Sequence, residues 1–227
     1  THMEIVSCAT PYWFSFSEIG IQLIFAIVTF LIAYNAYKVY KVCNQRSSKL
    51  YAFGFLGVSI GYLMQALLHT FIVARVSSND ILSVVSQEMA RTSTMQLSAI
   101  PAITGMVATL IGLSTIAFVT LREKNDQVLL LLMILAMISI ITPYYPITYH
   151  LTASVFLIFI TIKYYSRFKK KRTINSQKVF FGFLFILLGT ILLTLVKMMS
   201  VLYVVGHFVA LFGYILLLWS LITVVRK

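Results

Sequence analysis

Long apolar runs separated by short basic connections leave few folds open to this chain. Seven such runs span Phe14–Tyr37, Leu50–Ala74, Leu97–Leu121, Gln127–Ile141, Ile147–Tyr164, Val179–Met199 and Val201–Val225. A helix needs about 20 apolar residues to cross a hydrocarbon layer about 30 Å thick. Six runs are of that order; the fourth is short and leaves little room for tilt. Composition agrees: 60% of residues are apolar and 11% charged, against about 45–50% and about 25% in soluble domains. Such a chain cannot cover a water-facing surface, which excludes a soluble enzyme, a secreted disulfide scaffold and a disordered tail. The expected fold is an all-α integral membrane domain of seven transmembrane helices over residues 1–227.

The basic residues set the expected orientation. The connections Lys38–Lys49, Arg122–Asp126 and Lys163–Lys178, with the tail Arg226–Lys227, hold fifteen of the eighteen Lys and Arg. Glu4, Glu18, Asp80 and Glu88 fall on the other side. Basic loops face the cytoplasm, so the N-terminus is expected outside and the C-terminus inside, the parity that seven spans require. The net charge of +12 thus points to a lipid bilayer, not to nucleic acid, and the expected location is the plasma membrane. Cys8 and Cys43 then lie on opposite sides and cannot pair. Thr1-His2-Met3 reads as a cloning remnant before a start methionine, and no cleavable signal peptide is expected. The segment 75–96 is expected to form an external loop, with Ser77-Ser78-Asn79-Asp80 as a turn and a short interfacial helix over 81–95.

An internal echo is visible. Phe53-Gly54-Phe55-Leu56 followed by Gly61 recurs, 128 residues on, as Phe181-Gly182-Phe183-Leu184 followed by Gly189. The same offset brings Tyr37 onto Tyr165, Tyr40 onto Phe168 and Lys41 onto Lys169. A three-plus-one-plus-three plan follows, with the fourth span as linker. Parallel repeats of this kind occur in sugar transporters of the SWEET class.

Ionisable groups inside a bilayer are costly and are functional candidates by default. Span directions place Glu18, His69, His150, Lys197 and His207 in the outer half, with His69 and His207 at matching depth on antiparallel spans. Arg91, before the third span, either anchors a phosphate headgroup or caps an outer pocket and pairs with Glu18 or Glu88. Pro101 is expected to kink the third span. Two readings stand side by side. In one, Glu18, His69 and His207 line a pocket open to the outside, with His150 nearby, as ligands for a transition metal or, through the imidazole pair, for haem. In the other, each histidine merely hydrogen-bonds to a neighbouring helix, and Lys197 snorkels to the interface. Some chemistries are excluded: the seventh span has no lysine for a retinal Schiff base, and no Ser/His/Asp set, His-x-x-x-His pair or phosphate-cradling glycine loop can be assembled. An enzyme is not expected.

Four stretches resemble the third class of membrane-associated sensor (MASE) domains of prokaryotic histidine kinases and diguanylate cyclases. In the first span, Phe14-Ser15-Phe16-Ser17-Glu18 through Ala33-Tyr34-Asn35 parallels the family's aromatic–Glu opening and Ala-Trp-Asn end. In the second, Gln65-Ala66-Leu67-Leu68-His69-Thr70 parallels Asp-Leu-Leu-His-Thr. Ala90-Arg91 matches the entry to the family's third span, and Gly206-His207 the start of its last. The chain departs from the pattern in lacking an acid before His69, a Glu after Arg91 and a Lys after His207. Glu18, His69, Arg91 and His207 carry over. The resemblance implies signal sensing, with output through a cytoplasmic signalling partner, a homo-oligomer or an effector outside this sequence. The leading expectation is therefore a sensor or receptor-like module; the alternatives are a small transporter built on the repeat, or a haem or redox protein using His69 and His207.

Overall fold

A computed structural model describes the backbone of residues 15–78, 85–121, 125–141, 145–195 and 201–225, and the side chains of 17–70, 101–121, 125–141, 147–170, 172–195 and 201–224. These residues form seven helices: α1 (Ser15–Cys43), α2 (Arg46–Ser78), α3 (Val85–Leu121), α4 (Asp126–Ile141), α5 (Tyr145–Lys171), α6 (Ile174–Thr194) and α7 (Val201–Val225). There is no strand among them. Six helices are long and apolar enough to cross a membrane, against the seven expected. The exception, α4, has 16 residues, or ~24 Å at 1.5 Å per residue, short of the ~30 Å core.

Five of the seven helices, α1 to α5, are longer than the apolar runs that mark them. Most of the expected external loop is helical, because α2 continues to Ser78 and α3 already begins at Val85. The stretch Gln87-Glu88-Met89-Ala90 consists of good helix formers and joins the span behind it without a break. Pro101 lies within α3, and the helix passes through it.

Each helix packs on the next in chain order, α1 closes onto α7, and α3 also touches α5. On α1 the buried residues Glu18, Ile21, Gln22, Phe25, Thr29, Ile32 and Ala36 recur at helical spacing, while Ile27, Phe30 and Tyr34 are exposed. The polar groups of the span thus sit inside, among apolar ones, while the side chains that face outward are large and apolar. That is the distribution a lipid solvent requires, because polar side chains in lipid must find partners within the bundle.

The α1–α2 and α5–α6 turns lie at one end. Arg46, at the start of α2, pairs with Asp126 at the start of α4. Arg167 Nη2, near the end of α5, donates to the Thr120 carbonyl oxygen near the end of α3 at 3.2 Å. We call this the basic end. At the far end of α4, Thr148 Oγ1 of α5 donates to the Ser139 carbonyl oxygen at 2.6 Å.

The two turns share their geometry at the offset of 128. Asn44 (φ 49°) and Arg172 (φ 46°) are both left-handed. Asn44 N–H donates to the Tyr40 carbonyl at 2.7 Å and Arg172 N–H to the Phe168 carbonyl at 2.8 Å, closing each helix with the same cap. The glycine contacts also match. A Cβ on Gly112 would stand 2.4 Å from the Gly54 carbonyl oxygen, and one on Gly213 2.6 Å from that of Gly182. Gly105 lies likewise against Gly61, and Gly206 against Gly189. Each of α2, α3, α6 and α7 therefore presents two glycines seven residues apart, and backbones approach where a side chain would hold them off.

Candidate functional site

The buried ionisable groups gather at the end opposite the basic turns. Glu18 stands in the first turn of α1 and is only 1% exposed. Its Oε1 accepts a hydrogen bond from the Tyr203 hydroxyl of α7 and lies 3.0 Å from Nε2 of His69 on α2. One carboxylate oxygen therefore ties three helices together. The other, Oε2, is buried without a hydrogen-bond partner among the described residues. One turn further along α1, Gln22 is buried as well, and its Oε1 also lacks a partner.

His207 is buried one turn below Tyr203, with Nδ1 2.9 Å from the Tyr203 carbonyl oxygen. A carbonyl only accepts, so in this geometry Nδ1 carries a proton and donates it. Glu18 and His69 are both within electrostatic reach of His207, and so is His150 on α5.

An aromatic floor closes the site towards the basic end. Phe25 stacks on Tyr62 at 4.8 Å between ring centres and meets Tyr214 edge-on at 5.5 Å. The Tyr62 and Tyr214 hydroxyls are hydrogen-bonded at 3.1 Å. The His207 ring is 6.1 Å from Phe25. Tyr149 on α5 is buried beside Thr109 of α3 and Gln65 of α2, so polar side chains continue across the bundle.

Of the candidates read from the sequence, Glu18 and His69 are joined directly, and His207 belongs to the same cluster through Tyr203. His150 is half-buried and flanks it, its ring 4.9 Å from that of Tyr149. Arg91 lies on the α3 backbone, but its side chain, and Lys197 and Cys8 altogether, fall outside the described residues. Among the described residues no three His, Cys, Asp or Glu side chains are grouped to hold a metal ion. His69 Nε2 and Glu18 face each other directly. Sequence reasoning missed Gln22, Tyr203 and the Tyr62–Tyr214 pair. The available signal was spacing: Gln22 follows Glu18, and His207 follows Tyr203, by four residues, which puts each pair on one helix face.

Comparison with protein-family models, with curated proteins and with solved structures finds no match for this chain.

Proposed function

We propose that this chain is a membrane-embedded, sensor- or receptor-like module that binds a small ligand at the Glu18 site and signals through a partner at the basic end. The observation that carries the reading is the Glu18 carboxylate, with one oxygen joining α2 and α7 to α1 and the other buried and unpartnered among the described residues. Both unsatisfied atoms, Glu18 Oε2 and Gln22 Oε1, are acceptors. Leaving a buried acceptor unmade costs about 1–3 kcal/mol, which a donor-rich or cationic ligand recovers. A ligand competing for the carboxylate loosens its hold on His69 and Tyr203 and lets α2 and α7 shift against α1. Both helices run on to the basic end, which by its charge faces the cytoplasm. α4 adds the seventh crossing, since its start is fixed by Arg46 and its end by Thr148. The resemblance to MASE-type sensors supports the same assignment through Glu18, His69 and His207.

The test uses the full chain in phosphatidylcholine nanodiscs with methylammonium as probe. Thermal stability rises with probe concentration in the native protein and does not in Glu18→Gln. An equal rise in both proteins, or none in either, rejects the site.

A second reading has its own support. The matched turns at Asn44 and Arg172 and the matched glycine contacts of α2–α3 and α6–α7 favour a parallel three-helix repeat joined by α4, the plan of a small transporter. Uptake of labelled methylammonium into proteoliposomes, lost in Glu18→Gln, distinguishes transport from binding alone.

A further inference from the structure

We propose that the cleft on the α5–α6 turn is a binding site for a phosphate group, carried by an acidic lipid headgroup or free in solution. The cleft measures about 400 Å³ and is lined by Tyr165, Phe168, Lys169, Arg172 and Gln177. Tyr165, Phe168 and Lys169 fall at i, i+3 and i+4 and so share one face at the end of α5; Arg172 from the turn and Gln177 from α6 complete the cleft. Two aromatic rings and two cations around one cleft at the membrane boundary combine an interfacial anchor with attraction for anionic headgroups. The aromatic wall is fixed from behind. Phe180 stacks parallel on Phe168 at 6.1 Å and lies 5.4 Å from Tyr165.

The charge of this cleft is uncompensated among the described residues. The acids with described side chains are Glu18 and Asp126. Glu18 is at the opposite end, bonded to His69, and Asp126 is taken by Arg46. Lys169 and Arg172 thus have no carboxylate partner among the described residues. Arg172 presents a forked donor, Lys169 a point charge and Gln177 an amide, which together suit a tetrahedral oxyanion.

The equivalent turn is an internal comparison. A second cleft is lined by Tyr40, Asn44, Arg46, Lys49, Leu50 and Phe53. Here Asn44 stands where the other turn has Arg172, and Arg46 is neutralised by Asp126. Among the described residues the first cleft is lined by two cations without a carboxylate partner, the second by one, Lys49. The proposal is independent of the Glu18 site.

The test uses the full chain in nanodiscs of phosphatidylcholine with a minor fraction of phosphatidic acid, and reads retained lipid by native mass spectrometry. The native protein retains phosphatidic acid over phosphatidylcholine. Lys169→Gln/Arg172→Gln weakens that retention roughly thirtyfold, the product of two headgroup-facing cations, whereas Lys41→Gln/Lys49→Gln leaves it unchanged. A second arm titrates inorganic phosphate into phosphatidylcholine nanodiscs by calorimetry. Phosphate binding abolished by the Lys169/Arg172 pair assigns a soluble anion; retention of phosphatidic acid alone assigns the lipid. Equal behaviour of the native and Lys169/Arg172 proteins, equal losses in both double variants, or no binding in either arm overturns the site.

Discussion

At the scale of single residues, the Glu18 carboxylate concentrates the chemistry of the bundle. It is buried, it bonds to two other helices through one oxygen, and it sits a turn above a buried amide with an unmet acceptor. Replacing Tyr203 by Phe removes one donor and leaves the carboxylate to His69 alone. The expected loss is about 1–3 kcal/mol of stability, read as a lowered unfolding midpoint in detergent; an unchanged midpoint contradicts the bond. Glu18, His69 and His207 were legible in the sequence because an ionisable side chain within an apolar run is conspicuous. Tyr203 and Gln22 were not. The chain has 13 tyrosines, whose usual place is the interfacial belt, and nothing in the local pattern marks the one that reaches a carboxylate 185 positions away.

At the scale of elements, helix contact is set by glycine where two backbones touch. A Cβ on Gly112 meets the Gly54 carbonyl at 2.4 Å and the Val58 amide at 2.8 Å, neither of which can move without moving its helix. Gly112→Ala is therefore expected to cost about 1–3 kcal/mol, as overpacking does. Gly20 has nothing within 4 Å of such a Cβ, so Gly20→Ala is expected to be neutral or to stabilise by about 0.5–1 kcal/mol through helix propensity. Thermal unfolding of the two variants in detergent checks the contrast, and equal effects refute the packing argument. The glycine pairs of α2 and α6 were visible as a sequence echo. Their partners on α3 and α7 were not, because the interval between Gly112 and Gly213 is 101 residues, not 128: α2 runs on well past Gly61 and α3 begins well ahead of Gly105, whereas α6 ends soon after Gly189 and α7 begins just before Gly206. A search at one fixed offset passes over them. Helix ends were also hard to place, since Lys38 and Lys41 continue α1 and Gln87 to Ala90 continue α3, and helix formers do not announce where the lipid stops.

At the scale of the whole molecule, six apolar helices and a shorter seventh close into a ring with the positive charge at one end. If that end faces the cytoplasm, Cys43, which is exposed beside the α1–α2 turn, is expected to react with a membrane-impermeant maleimide only after cells are opened, in a Cys8→Ser background. Labelling of intact cells reverses the orientation and with it the placement of the Glu18 site. The ring itself was not legible in the sequence, because apolarity all round a helix says that it is in lipid and not which neighbours it meets. The closure of α1 on α7 has a consequence for biogenesis. Glu18 enters the membrane with α1, yet the phenol that completes its hydrogen bonding is made 185 residues later, with α7. Until then the newborn chain carries a polar group that lipid will not accept, so α1 has to be sheltered by the insertion machinery or wait near water. Ring closure is thus the step that ends this exposure, and a chain cut short before α7 presents cellular quality control with a ready mark of incompleteness.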